Sequence, residues 1–142
     1  MAARIGSAEW HGDLKDGSGT VRVGEGAFEG AYSFASRFEE GEGTNPEELI
    51  AAAHASCFAM ALSNMLAGDG HVPDSVKARA AVQLRNVDGA PTIAHIDLEV
   101  EGAVPGIDAD TFGSYAAKAK EACPVSRALS GVPEIELRAT LA

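Results

Sequence analysis

The chain is short of aromatic side chains, short of basic charge and nearly free of cysteine. Only 6% of its 142 residues are aromatic, and cysteine occurs twice. With 16 glycines and many alanines, that scarcity points to closely packed small-residue helices rather than a broad aromatic core. Lys and Arg number 11 against 21 Asp and Glu, giving a net charge of −10. Nucleic-acid and anionic-membrane partners usually want a basic patch, so neither is expected. No apolar run reaches the roughly 20 residues of a membrane span, so no membrane partner is expected. Met1 to Gly6 has no apolar secretory region, and a cytoplasmic protein is expected. No glycine-rich phosphate loop or dinucleotide fingerprint occurs, so no cofactor is expected.

Paired metal spacings are missing too. There is no Cys-x-x-Cys and no His-x-x-x-His. A zinc site would have to combine His54 and Cys57 with Cys123 and one of His11, His71 or His95, and no metal is expected. A reducing compartment leaves two readings for the cysteines: two buried inert thiols, or a redox pair.

What is present reads as one domain, 1–142, since domains most often run to about 100–150 residues. Hydrophobic content of 46% with 23% charged residues is ordinary for a folded chain. Strands are expected over Ile5 to Leu14, Gly19 to Val23 and Ala31 to Phe38, broken by glycine turns. In the third, Arg37 would face away from Tyr32, Phe34 and Phe38. Asn45-Pro46-Glu47-Glu48 supplies an N-cap, a first-position proline and a capping-box glutamate. The run Leu49 to Ala67 then has no Gly or Pro, and Gly68 ends it. Apolar almost all round, that helix belongs in a protein interior. Ser75 to Val87 and Thr92 to Val104 alternate around Asp88-Gly89-Ala90-Pro91 and predict a hairpin. Asp108 can cap a helix over 109–122, Pro124 starts a short one to Leu129, and Glu134 to Leu141 reads as a last strand. Strands, helix, strands, helix and strand in one chain give an α+β fold.

Local chemistry does not treat the two cysteines alike. Cys57 lies mid-helix among Ala and Phe, where no helix terminus reaches it. At roughly 100° per residue, Glu47 lies about 80° from Cys57 around the helix, whereas Glu48 lies almost opposite. Cys123 precedes Pro124 at a helix start, with Lys120 and Arg127 nearby in sequence, the surroundings that favour a thiolate. Taken alone, these features make Cys123 the better nucleophile. Its Cys-Pro-Val-Ser run is only half a thioredoxin-type motif, and a helix rather than a strand precedes it.

The stretch from Arg37-Phe-Glu-Glu-Gly through Asn45-Pro-Glu-Glu to His54-Ala-Ser-Cys57-Phe-Ala-Met resembles the osmotically inducible protein C (OsmC) family. Val104-Pro-Gly-Ile-Asp108, Ala119-Lys-Glu-Ala-Cys123-Pro-Val-Ser-Arg-Ala-Leu129 and Ala8-Glu-Trp10-His-Gly-Asp13 are similar to the same family. The resemblance implies a peroxidase of organic hydroperoxides and hydrogen peroxide. Cys57 would be the peroxidatic thiolate, Cys123 the resolving thiol, and Arg37 with Glu47 the polar pair that activates Cys57. It also implies antiparallel sheets around two long central helices, in an intertwined homodimer whose sites draw residues from both chains. An external thiol or dithiol would reduce the resulting disulfide. The sister group, the organic hydroperoxide resistance proteins, usually supplies the arginine from nearer the N-terminus, so Arg37 favours the OsmC branch.

Physical logic agrees with that assignment. A thiol in apolar surroundings ionises poorly unless a cation is brought to it. Arg37 would supply that charge, and Phe58, Met60 and Ala61 would offer apolar walls to an alkyl peroxide. Two alternatives remain open: a general disulfide oxidoreductase working through Cys123, and a non-catalytic α+β interaction domain with inert thiols.

Overall fold

The computed structural model describes residues 1–142, which form two compact units, Met1–Leu49 and Ile50–Ala142. The first holds an antiparallel meander of β1 (Gly6–His11), β2 (Ser18–Val23) and β3 (Phe28–Tyr32), in that spatial order. Trp10 on β1 packs on Tyr32 of β3, with ring centroids 5.2 Å apart.

The expected third strand is divided. Its second half is a short helix, α1 (Phe34–Phe38), preceded by Ser33 in extended conformation. Ser33 Oγ accepts from the Ser36 amide at 3.1 Å, and the Ser33 amide donates to Ser36 Oγ at 2.8 Å. This reciprocal cap stabilises the turn. Phe34 and Phe38 stack one turn apart, centroids 4.9 Å. Arg37 therefore does not point away from the aromatics: its guanidinium sits 5.3 Å from the Phe38 ring centroid.

Helix α2 (Pro46–Gly68) starts as its sequence signals require. The Glu48 amide donates to Asn45 Oδ1, and Asn45 Nδ2 donates to Glu48 Oε1, both at 2.8 Å. By length and composition this helix could span a membrane, contrary to the expectation that no apolar run is long enough. Its burial is also one-sided, contrary to the expected all-round interior helix. His54, Phe58, Leu62 and Leu66 are fully buried, whereas Met60 is 75% exposed and Ala52, Ala53, Ser56 and Asn64 are also exposed.

In the second unit, β4 (Ser75–Val87) and β5 (Ala90–Ala103) form the expected hairpin, closed by Asp88 and Gly89 alone. Both turn residues have positive φ, 51° and 83°, as the tight two-residue hairpin turn demands. Then come α3 (Ala109–Ala122), capped by Asp108 Oδ1 accepting from the Thr111 amide at 2.8 Å, α4 (Pro124–Ala128) and β6 (Glu134–Leu141). The sheet order is β4-β5-β6. Here the expectation of antiparallel sheets fails, because β6 runs parallel to β5, from His95 opposite Glu134 to Gly102 opposite Leu141. The helical crossover through α3 and α4 carries the chain back to the end from which β5 started, and such a connection produces parallel neighbours.

Alternation along β5 turns Leu98 and Val100 into a core shared with Phe58, Leu62 and Leu66 of α2 and Phe112, Ala116 and Ala119 of α3. Gly102 is required there, since a Cβ at that position would collide with the Phe112 ring. Cys123 belongs to this core, and Cys57 packs against it.

Candidate active site

Two groups of side chains stand out, one in each unit. In the first, Glu47 occupies the opening turn of α2, where the helix N-terminus favours a carboxylate. It is 8% exposed yet charged, and Arg37 answers it. Arg37 donates from Nη2 to Glu47 Oε1 at 2.9 Å, and from Nε to Oε1 and Oε2 at 3.2 and 3.3 Å. A guanidinium gripped at two nitrogens has little freedom to turn, and it still offers N–H donors on its other edge. The cap of α1 and the cap of α2 are tied together, because Asn45 Nδ2 also donates to the Ser36 carbonyl at 2.8 Å.

The second group is the thiol pair. Cys57 is half-buried on α2, and Cys123 is fully buried at the joint between α3 and α4. Both are free, and they lie near enough for each to shift the titration of the other. Cys123 ends α3 through its own amide, which donates to the Ala119 carbonyl at 2.8 Å, and Pro124 then starts α4. Cys123 makes no tight side-chain cap bond, but the amides of Ser126 and Val125 lie near enough to act on its sulfur.

The electrostatics of the pair are uneven. Burial pushes the Cys57 thiol up; the Val125 amide opposes this, Cys123 reinforces it, and the result lies above the ordinary thiol value. Burial also pushes Cys123 up, but hydrogen bonds from the Ser126 amide, the Cys57 thiol, the Ser126 hydroxyl and the Val125 amide outweigh it. Cys123 therefore lies below the ordinary value. Of the two, Cys123 is the more acidic thiol, as the local reading of the sequence suggested.

A third residue joins this group. His54, one turn before Cys57, is fully buried, with Nε2 at 2.7 Å from Ser126 Oγ. Its Nδ1 is buried with no partner. Burial, and then the positive charge of Lys120, hold its pKa below the ordinary imidazole value. Sequence reasoning noticed His54 only as a zinc candidate or a core residue, and did not single out Ser126. The signal was Ser126 at the third position after a helix-starting cysteine, a place where serine commonly takes part in a helix cap.

The expected apolar wall is not assembled from Phe58, Met60 and Ala61. Phe58 is in the core, Met60 points outward, and Ala61 is half-buried. Three of the four histidines considered for zinc are engaged elsewhere: His54 with Ser126, His11 with Glu9 at 2.5 Å, and His95 with Asp97 and Glu134 at 3.1 and 3.2 Å. The donor set best placed for a cation is His95, Glu134 and Glu136, within 4.8 Å of one another, and there both ring nitrogens of His95 already face carboxylates.

Comparison with known proteins defines the class. The profile described as OsmC-like protein matches residues 39–138, a stretch that includes Glu47 and both cysteines. The chain belongs to the OsmC-like family. It is 52% identical over 125 residues to peroxiredoxin OsmC of Escherichia coli, covering 87% of each chain. An organic hydroperoxide resistance protein of Xanthomonas axonopodis is 36% identical over 103 residues, covering 72% of this chain and 69% of that protein. The difference in identity places this chain in the OsmC branch. Solved structures agree on the fold. An OsmC-like protein from Mycoplasma pneumoniae superposes with TM-score 0.75 at 17% identity, over 99% of this chain and 98% of that one. An organic hydroperoxide resistance protein from Legionella pneumophila does so with TM-score 0.69 at 23% identity, over 100% and 99%.

Proposed function

We propose that this chain is a cysteine-based peroxidase that reduces organic hydroperoxides, and hydrogen peroxide, through Cys57 and Cys123. The observation that carries the reading is the nearness of the two thiols, each of which shifts the titration of the other. Two cysteines held this near each other can form a disulfide once one is oxidised to a sulfenic acid.

The Cys57 thiolate attacks a peroxide oxygen. The S–O bond forms, the O–O bond breaks, and the alcohol leaves with a proton. The Cys123 sulfur then attacks the Cys57 sulfenic acid, the S–S bond forms, and hydroxide leaves as water with the Cys123 proton. An external thiol or dithiol returns the pair to two thiols and is itself oxidised. Because Cys57 is the less acidic thiol, the first step needs a cation, and Arg37, fixed by Glu47, supplies it and donates to the peroxide. On this reading residues 1–142 act as one domain. The protein is a homodimer, which covers the exposed face of α2 and completes the apolar surroundings of the substrate. Its polar surface, with net charge −10, suits a cytoplasmic protein.

One observation favours a second reading. Cys123 is the more acidic thiol, as a disulfide oxidoreductase working through it would require. The variants Cys57→Ser and Cys123→Ser separate the two. The peroxidase loses peroxide consumption with Cys57→Ser, and with Cys123→Ser it accumulates sulfenic or over-oxidised Cys57. If Cys57→Ser still consumes peroxide, the proposed roles are wrong.

A further inference from the structure

We infer that His95, Glu134 and Glu136 bind a divalent transition-metal ion, zinc by preference, with Asp97 orienting the histidine. The site uses neither thiol and does not depend on the proposed peroxidase chemistry.

Strand pairing assembles the donors. β6 runs parallel to β5, with His95 opposite Glu134 and Asp97 opposite Glu136. Leu98 and Val100 of β5 enter the core, so alternation sets His95 and Asp97 on the other face of the sheet. Glu134 and Glu136 likewise share one face of β6. One donor atom from each of His95, Glu134 and Glu136 lies within 4.8 Å of the others. No short spacing in the sequence announces this set, because α3 and α4 separate the two strands that supply it.

The histidine distinguishes this cluster from an ordinary group of surface acids. Its side chain is only 9% exposed, and its Nδ1 is buried without a hydrogen-bond partner. Glu134 Oε2 stands 3.2 Å from that nitrogen, at ion-pair distance but not aligned as a hydrogen bond. Asp97 Oδ1 is 3.1 Å from Nε2, the other ring nitrogen. With the ring proton on Nε2 and turned toward Asp97, Nδ1 presents its lone pair to the cluster. Metal-binding histidines are held in this way, one nitrogen on an acid and the other on the ion. Without an ion, a buried ring nitrogen goes unsatisfied, which is costly.

Two donors of a tetrahedral zinc ion stand about 3.3 Å apart, given bonds of roughly 2.0–2.1 Å. Nδ1 and Glu134 Oε2 already have that separation. Glu136 is exposed and reaches the ion by side-chain rotation, which leaves a fourth position to water. One nitrogen among the ligands favours zinc over magnesium or calcium, which prefer oxygen throughout. Neighbouring cations are committed elsewhere. Arg138 Nη2 is 2.5 Å from Glu99 and 3.9 Å from Asp97, and Arg85 Nε donates to Gln83 Oε1 at 3.0 Å. An ion held here ties the edge strand β6 to β5.

The test uses the full chain without a purification tag, stripped with EDTA, with and without the changes Cys57→Ser and Cys123→Ser that remove both thiols. Isothermal titration with zinc chloride is expected to show about one ion per chain in both forms, with much weaker binding of magnesium. Glu136→Gln alters an exposed side chain that forms no ion pair, and it weakens zinc binding at least about tenfold. Asp97→Asn weakens it roughly ten- to a hundredfold, as removal of the acid behind a ligating histidine does. Saturating zinc raises the Tm of the parent and leaves that of His95→Gln unchanged. If His95→Gln fails to fold, the Glu136 and Asp97 variants carry the test. Absence of zinc binding, or binding by Glu136→Gln and Asp97→Asn as tight as the parent's, overturns the site. Magnesium binding as tight as zinc binding overturns it too, as does zinc binding that requires the cysteines.

Discussion

Arg37 is where sequence and structure part most instructively at the level of single residues. Tyr32, Phe34 and Phe38 all sit at even positions, so they satisfy a strand alternation. Phe34 and Phe38 are also one helical turn apart, and the helix wins because Ser33 and Ser36 cap each other. A serine at the cap and another three residues on was the legible clue. The link from Arg37 to Glu47 is a side-chain pairing between α1 and α2, and no local pattern encodes it. Glu47 itself was legible from its angle on the helix. Removing the guanidinium removes the cation from the site and leaves a buried carboxylate unpaired. Arg37→Ala is expected to slow the oxidation of Cys57 by cumene hydroperoxide roughly a hundredfold, measured by stopped-flow. Arg37→Lys recovers only part of the rate, because an ammonium cannot grip Glu47 at two points. An unchanged rate in Arg37→Ala would remove the arginine from the mechanism.

Among the elements, the two long helices and the hairpin were readable because their punctuation is strong. Asn45, Pro46 and Asp108 start helices, and Asp88-Gly89 closes the turn. The direction of β6 was not readable, since alternation describes the faces of a strand and not its neighbour. The burial of α2 was misjudged for a related reason. Apolar composition says that a surface avoids water, not which surface covers it. Within one chain, the outward stripe holding Ala52, Ser56 and Met60 stays uncovered. The proposed dimer covers it, and a charge placed there would be buried without a partner. Met60→Glu is expected to weaken dimerisation by roughly a hundredfold, seen by analytical ultracentrifugation across a dilution series. If the variant sediments as the unaltered protein does, α2 is not the interface.

For the molecule as a whole, acidity is handled by a few ion pairs rather than by a basic patch. The clearest joins β5 to β6, where His95 lies between Asp97 and Glu134. The hydrogen bond to Asp97 is the main reason the pKa of His95 is raised; burial opposes it, and Glu134 adds to it. Asp97 is depressed, chiefly by the same bond. A raised histidine stabilises the fold fully below its unfolded-state value and loses that contribution as pH rises through the folded-state value. A depressed aspartate contributes above the ordinary carboxylate value and loses it as pH falls through its folded-state value. Between these limits the pair works best. The Tm of the unaltered protein should fall as pH rises beyond the His95 transition, and His95→Gln should flatten that part of the profile. Calorimetric scans from about pH 5 to pH 9 test this, and parallel profiles for the two proteins would exclude the pair as the cause.

The central claim, that Cys57 and Cys123 are a redox couple, concerns a single bond. Intact-mass analysis under non-reducing conditions, after one equivalent of cumene hydroperoxide, followed by peptide mapping, reads it directly. The account predicts the loss of two hydrogens per chain and a Cys57–Cys123 disulfide within that chain. An unchanged mass with both thiols still free would contradict it, as would a disulfide found only between chains.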